Sequence, residues 1–402
     1  MTRSYLNLNK DGVMSKLEEL IQKYCPDGVE YKLLGDVCDI HKGVQFNKSD
    51  MADEGSYPVM NGGINPSGYV EVFNEQENTI TISQGGASAG YVNFLLSKFW
   101  LGAHCYAVKP SSCVLNRYLY HFIKQKELTL QQCQYGAGIP ALAKGTVSSL
   151  EIPIPPLPVQ EEIVRILDTF TELQAELQAE LQKRSQQYNY YRDQLLAGDG
   201  SFKKCKLIDL LSQPITDGPH TTPQFFQTGI PFVSVDAVWD GRIHFEKKRG
   251  FISPEFDKEC SKKYKPKRDD VFMVKSGSTT GKVAYVDTDE SFNIWSPLAA
   301  MRVNDKTSSR YLFHLLQTSQ VQEQVVSRSS QGSQPNLSMR VLEQFDVAVP
   351  SLPRQLEIVS LLDRFDTLTN DLTAGLPAEI EKRRQQYEYY RDKLLTFKRK
   401  EA

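Results

Sequence analysis

The chain has 402 residues, 40% hydrophobic and 24% charged, with 47 Lys+Arg against 49 Asp+Glu. That length accommodates two to four domains with real cores, and the composition is that of an ordinary globular protein. No apolar run reaches the ~18 residues of a membrane span and no signal-peptide pattern opens the sequence, so a cytoplasmic protein without membrane contact is expected, while a net charge of −2 argues against a freestanding nucleic-acid clamp.

In chain order, Met14 to Tyr24 reads as a short amphipathic helix with Leu17, Leu20 and Ile21 at helical spacing, closed by Pro26-Asp27-Gly28. A first block, 28–157, mixes β-rich runs (Thr79–Ile82, Ala107-Val108, Glu151–Ile154) with Gly-rich turns and a helix around Tyr118–Ile123. A long helix is expected over 158–198, a second block over 199–350, and a second long helix over 351–402. The blocks match faintly: Tyr57-Pro58-Val59 answers Ile230-Pro231-Phe232, Arg117-Tyr118-Leu119-Tyr120-His121 answers Arg310-Tyr311-Leu312-Phe313-His314, and Pro140-Ala141-Leu142 answers Pro335-Asn336-Leu337. The spacing predicts one fold with two different surfaces.

The helices match closely. Pro155-Pro156-Leu157-Pro158-Val159-Gln160 returns as Pro350-Ser351-Leu352-Pro353-Arg354-Gln355, and Gln187-Tyr188-Asn189-Tyr190-Tyr191-Arg192-Asp193 as Gln386-Tyr387-Glu388-Tyr389-Tyr390-Arg391-Asp392. A period this long marks a duplicated domain-plus-helix unit, not a solenoid. Apolar positions Ile163, Leu167, Phe170, Leu173, Leu177, Leu181, Tyr188, Tyr191 and Leu195 form a stripe that needs a partner helix, and the other copy supplies one in antiparallel pairing about a pseudo-two-fold axis. Gly375 and Pro377 predict a break in the second helix. The segment Glu172 to Gln182 repeats the tetrapeptide Glu-Leu-Gln-Ala, and each added unit lengthens a helix by about 6 Å.

Catalytic signatures fail in turn. Ser276 to Lys282 imitates a phosphate loop, but its glycines are three residues apart and Val283 stands where Ser or Thr binds magnesium. Ser83 to Gly90 lacks GxGxxG spacing and reads as a turn. Asn65-Pro66-Ser67 breaks the Asn-Pro-Pro-aromatic motif of amino-methyltransferases, and Asp269-Asp270 with Lys275 lacks the acidic residue a nuclease needs two positions before the lysine. The seven cysteines include no CxxC and the histidines are dispersed, so spacing suggests free thiols and no metal site.

The paired Pro-x-Leu-Pro-x-Gln-x-Glu-Ile-Val boundaries, the paired Gln-Tyr-x-Tyr-Tyr-Arg-Asp helices, Leu368-Thr369-Asn370 with Thr373-Ala374-Gly375-Leu376-Pro377, and Leu17 to Tyr31 resemble the specificity subunit of type I restriction-modification systems, in the subclass with tetrapeptide repeats between the two target-recognition domains. The resemblance implies an α+β chain: two mixed α/β target-recognition domains separated by two long antiparallel coiled-coil helices. It implies a non-catalytic subunit that reads an asymmetric bipartite site in double-stranded DNA, one domain per half-site. Partners would be two modification subunits using S-adenosylmethionine and restriction subunits using ATP and magnesium; no cofactor is expected in this chain. A coiled-coil scaffold with two non-DNA ligand-binding domains is the competing class.

Base readout needs hydrogen-bonding side chains on exposed loops. Candidates in the first block are His41, Lys42, Gln45, Asn47, Asn61 and Gln84, and in the second His220, Thr221, Thr222, Gln224, Lys275, Ser276, Arg328, Gln331 and Gln334. Tyr188, Tyr190, Tyr191, Tyr387, Tyr389 and Tyr390 are candidates for a partner interface. Residues 201–350 carry 20 Lys+Arg against 17 Asp+Glu and residues 28–157 only 9 against 11, so the basic stretch Lys247 to Arg268 is the stronger candidate for tracking phosphates.

Overall fold

The computed structural model describes residues 10–136, 138–198, 200–330, 334–371 and 374–401, with side chains from Lys16 onward. Two compact units emerge: Met1–Glu176 with Lys382–Ala402, and Leu177–Glu381. Each combines one divergent block with the beginning of one repeat helix and the end of the other.

In the first unit, helix α1 (Lys10–Tyr24) is followed by a turn closed at Gly28, whose φ of +99° suits a residue without Cβ. Strand Glu30–Leu33 then pairs antiparallel with Glu151–Ile154, tying the start of the block to its end. Between them lies an antiparallel sheet in the order Cys38–Lys42, Cys105–Pro110, Thr79–Ser83, Val92–Leu95. The β-branched run Thr79-Ile80-Thr81-Ile82 is buried throughout, as expected of a central strand. Helix α2 (Asn116–Gln125) lays Leu119, Phe122 and Ile123 into the same core as Ile80, Ile82 and Val108. A smaller sheet holds Tyr57–Met60 between Tyr69–Val70 and, in parallel, Trp100–Leu101.

Helix α3 (Leu157–Ala197) runs 41 residues unbroken, about 60 Å. Its start explains the repeated Pro-x-Leu-Pro-x-Gln motif. Proline suits the first turn, where the missing N–H is no loss. The Gln160 amide donates to the carbonyls of Pro155 (2.7 Å) and Cys113 (3.0 Å) and accepts from the Leu115 N–H (2.8 Å), locking the helix onto the loop before α2.

The second unit repeats the plan. Lys203–Lys206 pairs antiparallel with Asp346–Val349, a sheet runs Thr216–Asp217, Leu298–Met301, Val271–Val274, Val283–Tyr285, and Ile230–Val233 sits between Gly250–Ile252 and, in parallel, Asn293–Ile294. Helix α4 (Ser309–Leu316) takes the place of α2. Helix α5 (Leu352–Asn370) is locked by Gln355 as α3 is by Gln160: it accepts from Ser308 N–H (2.8 Å) and donates to the carbonyls of Lys306 (3.1 Å) and Pro350 (3.0 Å). Helix α6 (Leu376–Leu394) follows after the expected break, where a Cβ on Gly375 would meet the Thr367 carbonyl at 2.5 Å. Two close approaches match as well: a Cβ on Gly43 would meet the Leu101 oxygen at 2.0 Å, and one on Gly218 the Ile294 oxygen at 1.8 Å.

The stripe is only partly closed. Ile163, Leu167, Phe170, Leu177 and Tyr188 are buried, Leu173, Leu181 and Leu195 half-buried, and Tyr191 exposed. In the first unit Phe170 stacks on Tyr390 (centroids 5.3 Å apart); in the second Tyr191 lies 5.8 Å from Phe365. In each unit the beginning of one repeat helix thus meets the end of the other, as antiparallel pairing requires. No described helix is long and apolar enough to cross a membrane.

Candidate nucleic-acid interface

In each unit the loops after several strands are tied into one cluster. In the first, Gln84 N–H donates to the His104 carbonyl (2.8 Å), Leu142 N–H to the Gln84 carbonyl (2.7 Å), Gly86 N–H to Pro140 (2.9 Å) and Val44 N–H to Leu101 (3.0 Å). In the second, Lys275 N–H donates to Pro297 (2.8 Å), Leu337 N–H to Lys275 (2.7 Å), Gly277 N–H to Pro335 (3.0 Å) and Ser296 N–H to Pro219 (3.2 Å). The two glycine-rich stretches therefore form equivalent turns: Gly90 N–H closes on Ser83 and Gly281 N–H on Val274, both at 2.8 Å. Gly86 and Gly277 hold positive φ, with open space where a Cβ would point. A backbone that faces open space at a turn is available to a ligand surface.

Several expected readers stand exposed on these loops: Lys42, Gln45 and Asn47 in the first unit, and His220, Thr221, Thr222, Gln224 and Gln334 in the second. Gln84 and Ser276 are half-buried at the turns themselves, and Ser276 bridges to Asn336. Four other candidates make contacts within their own unit. His41 is clamped between Asp39 (2.9 Å) and Glu75 (2.6 Å). Asn61 uses its Oδ1 to accept the His104 N–H (3.2 Å) and packs against Gly102, so it staples a turn. Lys275 turns inward, its Nζ 3.3 Å from Asp217 Oδ2 and its side chain 12% exposed. Arg328 donates to the Gln344 carbonyl (3.1 Å) and pairs with Asp346 (3.2 Å), which fixes it to its own unit. Gln331 lies outside the described residues.

Sequence reasoning missed other residues beside the same loops. His104 is exposed next to Gly85, and Tyr135 and Ile139 protrude from a loop bridged to it through Ala141. Two large apolar residues flanking a Gly-Ala-Gly stretch were the available signal. In the second unit Lys263 joins Lys275 and His220 around Asp217, a carboxylate 1% exposed. The first unit has a smaller version, Glu75 with Lys109 and His41; burial raises the Glu75 pKa, but hydrogen bonds from Lys109 and then His41 outweigh it and hold the carboxyl low.

The basic stretch is partly neutralised at home. Arg249 pairs with Asp236, Lys262 with Glu259, Lys263 with Asp217, Lys265 with Asp257 and Arg268 with Asp289. Exposed Lys247, Lys258 and Lys267 make no ion pair among the described residues. These three are the cations most available to phosphates.

Each unit also carries the same constellation around a buried histidine. His121 lies between Asp168 (Nε2 to Oδ1, 2.8 Å) and the Tyr387 hydroxyl (3.3 Å), with Arg117 also on Asp168. His314 lies between Asp363 (2.8 Å) and the Tyr188 hydroxyl (2.9 Å), with Arg310 reaching Asp363 and Asp366. A carboxylate only accepts, so Nε2 carries the proton and Nδ1 accepts from the tyrosine. The hydroxyls of Tyr387 and Tyr188 are thereby bonded to histidines within their own units. Tyr390 packs on Phe170, while Tyr190, Tyr191 and Tyr389 stay exposed.

The duplicated frame with divergent loops defines a two-domain recognition protein. The family model for the type I restriction modification DNA specificity domain matches the chain twice, at residues 26–184 and 224–382, and the chain belongs to that family as a DNA sequence-specificity subunit. The chain is 32% identical over 395 residues to a protein of Haemophilus influenzae named as a type I restriction enzyme specificity subunit, covering 92% of this chain and 96% of that one. It is 33% identical over 268 residues to the EcoR124I/EcoR124II specificity subunit of Escherichia coli, covering 63% and 65%. The crystal structure of the S subunit of a type I restriction-modification system from M. genitalium shares the fold, with a TM-score of 0.57 at 19% identity over 92% of this chain and 96% of that one.

Proposed function

We propose that each unit reads one half of a split, asymmetric site in double-stranded DNA, and that the chain performs no chemistry itself. The observation that carries this reading is the combination of an identical buried frame with unlike loops. Gln160 and Gln355, His121 and His314, Asp168 and Asp363 repeat their contacts, whereas Gly43–Asn47 and Gly218–Gln224 share nothing beyond the leading glycine. A frame that repeats presents two surfaces in equivalent poses, and differing loops give differing base contacts.

Two modification subunits would methylate adenine with S-adenosylmethionine, and restriction subunits would use ATP and magnesium. Exposed Tyr190, Tyr191 and Tyr389 suit partner contact, being large apolar rings with a polar tip. The tetrapeptide repeat sits inside the unbroken helix α3 and would set the gap between half-sites. The test is base-resolution methylation mapping of DNA from cells with and without this chain, modification subunits present. Loss of one split, asymmetric methyladenine motif on deletion is the expected result; an unchanged methylome with active modification subunits overturns the reading.

A further inference from the structure

Late in each block the chain folds back against the glycine turn, and the two folds are bonded alike. In the first unit Tyr135 N–H donates to the Ala141 carbonyl and Ala141 N–H to Tyr135, both at 2.9 Å, while Gly86 N–H donates to Pro140 (2.9 Å) and Leu142 N–H to Gln84 (2.7 Å). In the second unit Ser330 N–H donates to Asn336 (3.0 Å), Gly277 N–H to Pro335 (3.0 Å) and Leu337 N–H to Lys275 (2.7 Å). The bridges Gly85 to Ala141 and Ser276 to Asn336 complete the match. By these bonds Tyr135 takes the place of Ser330, Ile139 of Gln334 and Ala141 of Asn336.

The side chains differ in kind. Ile139 is 77% exposed and Tyr135 58%, whereas the exposed Ser330 and Gln334 are hydrogen-bonding groups. A single apolar residue on a surface needs no account. Here both stand where the other unit, with the same backbone bonds, carries polar groups, and beside a turn that leaves open space at Gly86. A glutamine can make two hydrogen bonds to an adenine edge, and an isoleucine side chain can make none. Among the groups that base edges present in the major groove, the apolar one is the thymine C5-methyl. An isoleucine and a tyrosine at this place discriminate between bases by covering that methyl.

We infer that Tyr135 and Ile139 read a thymine through its C5-methyl group in the half-site of the first unit, Ile139 in contact with the methyl and the Tyr135 ring shielding it from water. The second unit lacks this contact, its Ser330 and Gln334 being suited to hydrogen bonds instead. The inference deepens the reading of each unit as the reader of one half-site and rests on it.

The test uses the full chain assembled with its modification subunits and the cognate duplex found by methylation mapping. Each thymine of both strands is exchanged singly for deoxyuridine, which removes the methyl and leaves every hydrogen-bonding group in place. One exchange is expected to lower affinity about fourfold, the worth of one buried methyl-sized group. Ile139→Ala, and Y135S/I139Q, which gives the first unit the side chains of the second, should each make that same exchange silent. Both residues are exposed, so the fold should stand. The inference is overturned by a site with no sensitive thymine, by a sensitivity that persists in both variants, or by variants that weaken cognate and random duplexes alike. Loss of assembly with the modification subunits also overturns it, since that would make Tyr135 and Ile139 a protein contact. Preference of the unsubstituted complex for cognate over random duplex reads the specificity role separately, so that preference without a deoxyuridine effect removes the thymine contact alone.

Discussion

Asp168 accepts a hydrogen bond from His121 at 2.8 Å, and Asp363 repeats the contact with His314 at the same distance. Each joins the helix of a block (α2 or α4) to the start of a repeat helix, while the tyrosine on the far side of the histidine brings in the end of the other repeat helix. Both histidines are 0% exposed, so removing the acceptor leaves a buried N–H unpaired. Asp168→Ala and Asp363→Ala are each expected to cost about 1–3 kcal/mol, and Tyr387→Phe or Tyr188→Phe about 1 kcal/mol. Denaturant unfolding of the single variants checks this; a Tyr variant more damaging than the matching Asp variant would contradict the assignment of donors.

The same constellation sets a pH dependence. Burial pushes both His121 and His314 below the ordinary histidine pKa, outweighing the upward pull of Asp168 and Asp363. Burial raises Asp168, but the hydrogen bonds from His121 and Arg117 prevail and bring its carboxyl down to about 2. A depressed folded pKa, for histidine as for carboxylate, gives stability present above the unfolded value and lost as pH falls through the folded one. Stability should therefore decline from about pH 6.5 downward as the histidines are forced to charge, and again below about pH 4 as Asp168 protonates. The double variant His121→Gln/His314→Gln should flatten the first decline. Thermal melts at pH 7, 6 and 5 decide it, and equal slopes for the two proteins would rule the histidines out.

The frame was legible in the sequence because it is written twice. The Gln of each Pro-x-Leu-Pro-x-Gln boundary and the first Tyr of each Gln-Tyr-x-Tyr-Tyr-Arg-Asp stretch recur since they make the same bonds, and the final Asp of each stretch holds the chain just at or after the block helix: Asp392 accepts from the Gln125 side chain (3.1 Å) and Asp193 from the Ser319 N–H (3.3 Å). The break at Gly375 also follows from local chemistry. The loops were less legible. His41, Asn61, Lys275 and Arg328 are polar residues like their neighbours, and partners distant in sequence (Glu75, His104, Asp217, Asp346) are what engage them. Tyr188 and Tyr387 looked like surplus aromatic surface until the buried histidines supplied their use.

The cations that make no ion pair among the described residues carry a separate expectation. Replacing Lys247, Lys258 and Lys267 together by Ala should weaken DNA binding by the assembled complex across all sequences and shrink the salt slope by roughly one for each phosphate no longer neutralised. Arg268→Ala, which removes a cation already paired with Asp289 at 2.8 Å, should change neither. Titrations against cognate and random duplexes at several salt concentrations distinguish these, and a weakening confined to the cognate site would assign the lysines to base readout instead.

Readers of bases should fail one half-site at a time. Gln45→Ala or Asn47→Ala should relax the half read by the first unit, and Thr222→Ala or Gln224→Ala the half read by the second, each by about 1–3 kcal/mol of discrimination at one position. These side chains are exposed and outside the core, so folding should be untouched. Methylome mapping of each variant gives the answer directly, and relaxation in both halves from one substitution would show that the units do not read independently.

Adding one Glu-Leu-Gln-Ala unit after Gln182 should leave both half-site sequences unchanged and alter only the spacer between them. The insertion lengthens an uninterrupted helix by about 6 Å and advances its face by roughly 40° beyond a full turn. The corresponding advance along DNA is one to two base pairs at about 3.4 Å each, with a twist near 36° given roughly 10 pairs per turn. Methylation mapping should therefore return the same two half-sites farther apart by about that amount. An unchanged spacer would mean that the inserted turn is absorbed elsewhere, with the break between α5 and α6 as the place to look, because the second repeat is divided there into two helices.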